Sequence, residues 1–579
     1  MIVLGLNCSS WHDPSAALMV DGELVAAAEE ERFCRRKHAR NTRPVDAVRF
    51  CLERAGVRPE DVTAVAHPWS MRAVRDNFLP YIQSNLGQES PLRIARFLRQ
   101  RPRRRRRELR KLHETLRAVG IDPARARISE VEHHLAHAAS AYLFSGFDDC
   151  ELVTIDGAAE ITSGLFGSLR GGRVEKLYEV QRPASLGIFY SAITDYLGFT
   201  PDDGEYKVMG MAPYGDPDEV DLSDLIAWDG EHLRMNRAFV FPPNAERYRG
   251  RRFSQAMVDR FGPPRTGDVL TEPYIHIAAA AQQLLERVSL AMVEKLLGEK
   301  LRETRRLCFA GGCALNVVLN RKLIGHELVD ELFVPPAPND AGLSVGAAAF
   351  VAASLGAKVA PLRHAYLGPA YSTEDAVREL ESRRIPYRRL RDPALAGADL
   401  LSRGEAVAWF QGAMEWGPRA LGNRSILGHP GIPGTQREIN ARIKFRETWR
   451  PFCPTVLEEH AREVLGTAHP SPFMTYSFEL PPEWQKRMPE VTHVDGTARP
   501  QVLSQKVNPR FHALVSEFMR RTGLPAVINT SLNRRGEPMI RSPHDALEMF
   551  FGCGLEHLII EDVYVAKDAS KPAPLGTAD

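Results

Sequence analysis

One layout occurs twice in the first third of this 579-residue chain, and it restricts the fold more than any other feature. Residues 2–7, IVLGLN, form an apolar run of the length of one buried strand. Residues 15–20 and 23–28 add two strands joined at Asp21-Gly22, a dipeptide that tolerates the positive φ of a tight hairpin. About 150 residues later, LVTIDG at 152–157 is again a strand ending in a polar residue, and SGLFGSLR and RVEKLYEV flank Gly171-Gly172. Strand, polar loop and glycine-turned hairpin therefore recur in one order. Two unrelated hairpins would read the same way, so pattern alone leaves duplication and coincidence both open.

A chain this long exceeds one ordinary core, and roughly two to four domains are expected. Residues 356–373 carry proline and glycine with few periodic positions, which places the boundary between a first domain at 1–358 and a second at 359–579. The second alternates helices and strands, as a separate α/β unit would. The net charge of +2 gives no general attraction to polyanions. Eight cysteines without a CxxC pair exclude a zinc ribbon and a disulfide framework. The start, MIVLGLNCSS, lacks a basic leader, and no apolar run reaches the ~18 residues of a membrane span. A cytoplasmic protein with no membrane partner is expected.

Residues 131–160, VEHHLAHAASAYLFSGFDDCELVTIDGAAE, hold the chemistry that stands out. His133 and His137 are four apart and share a helix face; His134 and His137, three apart, do so as well. The strand Glu151–Ile155 then ends on Asp156, where open α/β sheets keep ligands. Two imidazoles and a carboxylate suit iron, zinc or manganese. Further on, the strand at 331–334 runs through PPAPNDAG to Asp340, a second carboxylate at a strand end, before a small-residue helix at 342–355.

Between these points the sequence predicts a helix at 44–55, a strand at 62–67 and a long helix at 273–297. Residues 93–111 carry ten arginines and Lys111, read as a solvated helical insertion because no aromatic platform for bases is interleaved. GEYKVMGMAPYGDP reads as a loop containing Lys207. The strand 307–310 turns through Gly311-Gly312 into a helix carrying Asn316, a turn that lets backbone approach a ligand. In the second domain, Arg419 and Arg424, then Lys444, Arg446 and Arg450, lie in glycine- and proline-rich stretches. Asn529, Thr530 and Ser531 follow the strand 526–528. Arginine forks and hydroxyls so placed suit phosphate. No Walker A or GxGxxG pattern occurs.

The duplicated strand unit resembles the actin/hexokinase-like ATPase fold. Ten stretches in order then resemble the antibiotic and nodulation-factor O-carbamoyltransferases: GLNCSSWHDPSAAL, EEERFCRRKH, EHHLAHAASAY, TIDGAAE, GEYKVMGMAPYG, AGGCALN, PNDAG, GPRALGNRSIL, KFRETWRPFCP and NTSLN. The resemblance covers nearly the whole chain and departs at the arginine-rich segment.

It implies an α/β protein of two domains. The N-terminal domain is actin-like, similar to tRNA threonylcarbamoyl-transfer enzymes, and the C-terminal domain is YrdC-like. In the family, the second domain makes carbamoyl adenylate from carbamoyl phosphate and ATP, and the first transfers the carbamoyl group to a small-molecule hydroxyl. Carried across, His133, His137, Asp156 and Asp340 fall on metal ligands, with Fe(2+) the family's metal and Mg(2+) accompanying ATP. His12 falls on the general base. Lys37, Lys207, Gly311, Gly312 and Asn316 match carbamoyl adenylate contacts. Arg419, Lys444, Arg450, Arg499, Asn529 and Ser531 match contacts to carbamoyl phosphate and ATP. A homodimer is compatible with the pattern. Two rivals follow: a tRNA-modifying carbamoyl- or threonylcarbamoyl-transferase, against which the near-neutral charge argues, and a nucleotide-binding scaffold without transfer chemistry.

Overall fold

The computed structural model describes residues 1–9, 12–86, 89–240, 248–568, 570 and 572–578. Its packing divides the chain into two units, Met1–Val25 with Asn41–Leu362, and Ala26–Arg40 with Arg363–Asp579.

The first unit holds two five-stranded sheets built to one plan. Strands β1 (Ile2–Asn7), β2 (Ser15–Val20), β3 (Glu23–Glu29), β4 (Ala64–His67) and β5 (Arg127–Glu130) lie in the order β3-β2-β1-β4-β5. Strands β6 (Cys150–Ile155), β7 (Thr162–Arg170), β8 (Arg173–Gln181), β9 (Arg306–Ala310) and β10 (Glu331–Phe333) lie in the order β10-β9-β6-β7-β8. The first strand of each set is central. It pairs antiparallel with its hairpin partner and parallel with a later strand. The recurrence in sequence is thus a duplicated, actin-like sheet topology. Parallel pairing requires crossovers. These include α1 (Val45–Ala55) and α2 (Pro91–Ala118), while α3 (His133–Ser145) leads from the first sheet to the second. α4 (Tyr274–Thr304) and α5 (Val317–Ile324) lie within the second half, and α6 (Leu343–Ser354) follows β10.

Small residues set the central packing. A Cβ on Gly346 of α6 would fall inside the Ala136 carbonyl of α3, and one on Gly5 of β1 inside the Ser344 carbonyl of α6. Helix α6 therefore lies directly on both α3 and β1.

Two segments differ from expectation. The loop expected around Lys207 contains a helix, Glu205–Met211, because its glycine and proline residues punctuate only the ends and Val208 and Met211 are buried. The arginine-rich helix is not solvated all round: α2 buries Ile94, Arg101, Glu108, Leu112 and Leu116, with Pro102 inside it.

In the second unit, one mixed sheet contains β11 (Arg388–Arg389), β12 (Val407–Phe410), β13 (Arg424–Gly428), β14 (Cys453–Leu457), β15 (Gln501–Leu503), β16 (Ala526–Ser531), β17 (His557–Ile560) and β18 (Val563–Ala566). Their order is β11-β18-β17-β12-β13-β16-β14-β15. Asn529 to Ser531 are the last residues of β16, so the strand expected at 526–528 runs on through them. The early segment Ala26–Arg40 is fastened into this unit. Ala27 N–H donates to Leu367 O at 3.3 Å, Arg32 to Gly417 O at 2.9 Å, and Arg35 to Met539 O at 2.7 Å. No helix among the described residues is long and apolar enough to cross a membrane.

Candidate functional site

Helix α3 begins at the histidines. Its first amide, on His133, donates to Glu160 Oε1 at 3.2 Å, and Ser70 N–H donates to the same oxygen at 2.8 Å. Residues four apart stack on one face, and His133 Nε2 lies 3.1 Å from His137 Nε2. His134 turns away, with Nδ1 2.9 Å from Thr154 Oγ1. Of the two pairs the spacing allows, the converging one is His133 with His137.

Both carboxylates reach these nitrogens. Asp156, just beyond β6, places Oδ2 at 3.3 Å from His133 Nε2 and 3.8 Å from His137 Nε2. Asp340, on the turn after β10, places Oδ1 at 3.6 Å and 3.4 Å from the same atoms. The four donor atoms lie within 4.8 Å of one another. For metal–ligand bonds of about 2.1 Å, tetrahedral donors stand roughly 3.4 Å apart, so this N2O2 set fits a divalent transition metal.

The second oxygen of Asp156 explains the double glycine. Gly312 N–H donates to Asp156 Oδ1 at 2.8 Å, which leaves Oδ2 aimed at the imidazoles. Gly311 has φ +91° and packs on the Ile155 backbone, where a Cβ would collide. Asn316 caps α5 by accepting from Leu319 N–H at 3.0 Å and exchanges hydrogen bonds with Gln282.

The charges are arranged for a cation. Burial opposes charge on His137, but hydrogen bonds to Asp156 and Asp340 and their negative charge raise it to about 9. Burial alone would raise Asp156; the hydrogen bonds and charge of His133 and His137 outweigh it and hold Asp156 well below the carboxylate range. Burial and the two neighbouring imidazoles push His134 well below 6.5, so it is neutral.

His12 stands beside this cluster's support. Its Nδ1 lies 3.1 Å from Asp13 Oδ2, which also accepts from Asn339 Nδ2 at 2.9 Å. Asn7 Nδ2 donates both to Asp13 O at 3.0 Å and to Asp340 O at 2.9 Å, tying the His12 loop to the Asp340 turn. Burial works against charge on His12; the Asp13 hydrogen bond and the charges of Asp13, Asp340 and Asp202 raise it to about 10. Lys207 lies over the Phe199 ring at 5.2 Å.

In the second unit, buried Lys444 donates to Ser531 O at 2.6 Å, Asn533 O at 2.8 Å and Asn533 Oδ1 at 2.7 Å. Burial, then the charges of Arg446, Arg450 and Lys37, push its ammonium well below the usual lysine range. Lys37 thus belongs to this cationic group and to this unit. Arg450 pairs with the fully buried side chain of Glu447 at 3.4 Å, and Arg535 with the same carboxylate at 3.3 Å. Asn529 donates to Thr455 Oγ1 at 2.9 Å, and its buried Oδ1 has no partner among the described residues. Asn529 and Ser531 alternate onto one sheet face, and Cys453, opposite Asn529, carries Arg499 Nη2 at 2.8 Å. Arg419 is half-buried on the loop between β12 and β13. Arg424 is structural: it is fully buried, stacks on Phe410 at 3.6 Å, and donates to the carbonyls of Gln411, Asn423, Pro369 and Gly412.

Sequence reasoning missed Glu160, Asn7, Asn339 and Asn533. Asp13, adjacent to His12 in the HD pair, and Asn339, adjacent to Asp340 in PNDAG, were the orienting groups that adjacency could have exposed.

Comparison with known proteins adds a family. The model described as "Carbamoyltransferase N-terminus" matches residues 2–349, and "Carbamoyltransferase C-terminus" matches residues 398–567. The nodulation protein NolNO of Sinorhizobium fredii is 34% identical over 586 residues, covering 98% of this chain and 81% of its own. Nodulation protein NolO of Bradyrhizobium diazoefficiens is 38% identical over 461 residues, covering 77% and 80%. An uncharacterised Synechocystis protein, sll1178, is 33% identical over 623 residues, covering 98% and 97%.

Proposed function

The chain belongs to the carbamoyltransferase family, and from that premise we propose that it makes carbamoyl adenylate from carbamoyl phosphate and ATP, then carbamoylates a hydroxyl of a small molecule such as an antibiotic or other natural product. The observation that carries this reading is the convergence of His133, His137, Asp156 and Asp340 on one point.

Adenylate formation is assigned to the YrdC-like second unit. Arg419, Lys444 and Arg450 grip carbamoyl phosphate and stabilise the charge that develops as phosphate leaves. Lys444, whose N–H donors are taken by Ser531 and Asn533, acts in this role through its charge: burial and adjacent cations penalise that charge, and a bound oxyanion would relieve the penalty. Arg499, Asn529 and Ser531 face one side of the sheet and hold the nucleotide, with Mg(2+) accompanying ATP. Lys37 contacts the adenylate in the second unit, and Lys207, Gly311, Gly312 and Asn316 contact it in the first. Water releases phosphate from carbamoyl phosphate, the carbamate oxygen so formed attacks the α-phosphorus of ATP, pyrophosphate leaves, and the adenylate passes to the first unit.

There, His133, His137, Asp156 and Asp340 would hold a divalent metal, Fe(2+) by family resemblance. It would supply Lewis acidity toward the carbamoyl oxygen or the adenylate phosphate. His12 accepts the acceptor's hydroxyl proton as its oxygen attacks, while Asp13 orients the ring. That role requires neutral imidazole, and positive charge beside Asp340 lowers the His12 pKa toward it. AMP is then the leaving group, and an O-carbamate the product. Eight free cysteines suit a reducing cytoplasm.

Two variants separate the half-reactions. Lys444→Ala lowers carbamoyl-phosphate-dependent pyrophosphate release by about 10²-fold and retains metal. His137→Ala loses metal and transfer while release persists. Equal loss of release in both variants would contradict the assignment.

A further inference from the structure

The arginine-rich helix holds a group of cations that the transfer chemistry above leaves unused. Arg101 of α2 is 6% exposed, and its Cζ sits 4.0 Å from the centre of the Phe97 ring. Arg182, just past β8, places its Cζ 5.1 Å from the same centre. Arg104 is three residues beyond Arg101, on the same helix face. Tyr81 stacks on Phe97 at 4.9 Å, so the ring that carries the guanidiniums is fixed.

None of the three has an acidic partner among the described residues. Other arginines of the same helix do: Arg105 pairs with Glu130 at 2.6 Å, and Arg107 with Glu108 at 3.5 Å. Arg101 uses two donors on backbone carbonyls, Phe97 O at 3.3 Å and Glu160 O at 3.0 Å. The Nε atoms of Arg104 and Arg182 are buried and without a hydrogen-bond partner among the described residues. Burial, then repulsion from Arg182 and Arg104, lowers Arg101 to about 9; burial, then Arg104, lowers Arg182 to about 10. Guanidinium groups remain charged at neutral pH, so three cations stand together with no ion pair among the described residues, and an anion would offset their mutual repulsion.

The cluster also touches the support of the metal cluster. Glu160 accepts from Arg101 through its backbone carbonyl and from the His133 amide through its carboxylate. A ligand held by the arginines therefore lies one residue removed from His133.

We propose that Arg101 and Arg182, gathered on Phe97, and Arg104, on the same helix face as Arg101, bind a compact oxyanion, the phosphate, sulfate or carboxylate group of the molecule that brings its hydroxyl to the His133 cluster. Only the identification of that molecule as the acceptor rests on the carbamoyl-transfer reading. The enzyme then selects an anionic acceptor over its neutral counterpart.

Inorganic sulfate is the probe, titrated calorimetrically into the full-length chain carrying Lys444→Ala, which removes the competing cation pocket of the second unit. Adding Arg182→Gln weakens sulfate binding by about tenfold or more, and adding Arg104→Gln, on the less buried side of the cluster, does the same. Retained melting temperature shows that each variant is folded. Absence of sulfate binding in the Lys444→Ala chain, or unchanged affinity in both folded double variants, overturns the site. Among hydroxyl acceptors, the phosphorylated or sulfated member of a matched pair has the higher kcat/KM, and Arg182→Gln erases the difference. No preference overturns the acceptor assignment, as does an RNA oligonucleotide that displaces sulfate with steep salt dependence. Wild-type protein lacking carbamoyl-phosphate-dependent pyrophosphate release would remove the transfer reading while leaving the sulfate result intact.

Discussion

At the residue scale, the cluster depends on how Asp156 is divided between two tasks. One oxygen accepts from Gly312 N–H and the other faces His133 and His137. A Cβ at position 312 would stand 2.8 Å from Asp156 Oδ1 and turn the carboxylate. Gly312→Ala should therefore weaken metal binding by about 10–100-fold in a chelator competition; unchanged affinity would contradict the orientation argued for Asp156. Protons compete for the same site. His137, raised to about 9 by the two aspartates against its burial, carries a proton at pH 7.5, whereas a ligand imidazole must be neutral. Metal uptake should release about one proton from His137 at pH 7.5, and apparent affinity should rise by about tenfold per pH unit until pH approaches 9. Calorimetry in buffers of different ionisation enthalpy reads that proton; uptake with no release would show that His137 starts neutral. The spacing of His133 and His137 and the strand-end positions of Asp156 and Asp340 were legible in sequence, because both follow from backbone periodicity. The Gly312 contact was not, because it joins atoms 156 residues apart.

At the element scale, the cluster is only as well placed as α3 is against α6. Gly346 allows the approach: any side chain there would enter the Ala136 carbonyl. Gly346→Val should cost about 1–3 kcal/mol in denaturant unfolding and lose metal as α3 shifts relative to the Asp340 turn. Full stability and full metal content would show that the helices can separate without consequence. The hairpins at Gly22 and Gly171-Gly172 were readable from local turn chemistry. The helix Glu205–Met211 was not, because burial of Val208 and Met211 stabilises a segment too short to be helical alone. The buried side of α2 was hidden for another reason. A string of arginines reads as solvated, yet Arg101 is covered by Phe97 and by the Glu160 loop.

At the scale of the molecule, the two steps of the proposed reaction are assigned to two units of different construction. One has a duplicated sheet carrying a carboxylate–imidazole cluster, and the other a mixed sheet carrying cations around Lys444. Composition suggested a boundary near 356–373, and packing places one partition point at Leu362. Composition held no sign that Ala26–Arg40 joins the second unit, since Arg32 and Arg35 find their carbonyl partners about 385 and 504 residues away. Lys37 travels with that segment, which puts a residue from the start of the chain among the cations of Lys444. The measurement that tests the central claim most directly is pyrophosphate release from ATP by the purified, metal-loaded chain, with and without carbamoyl phosphate and with no acceptor present. Release that requires carbamoyl phosphate is the predicted result. A folded, metal-loaded protein whose release is absent, or indifferent to carbamoyl phosphate, would contradict adenylate formation and the mechanism built on it.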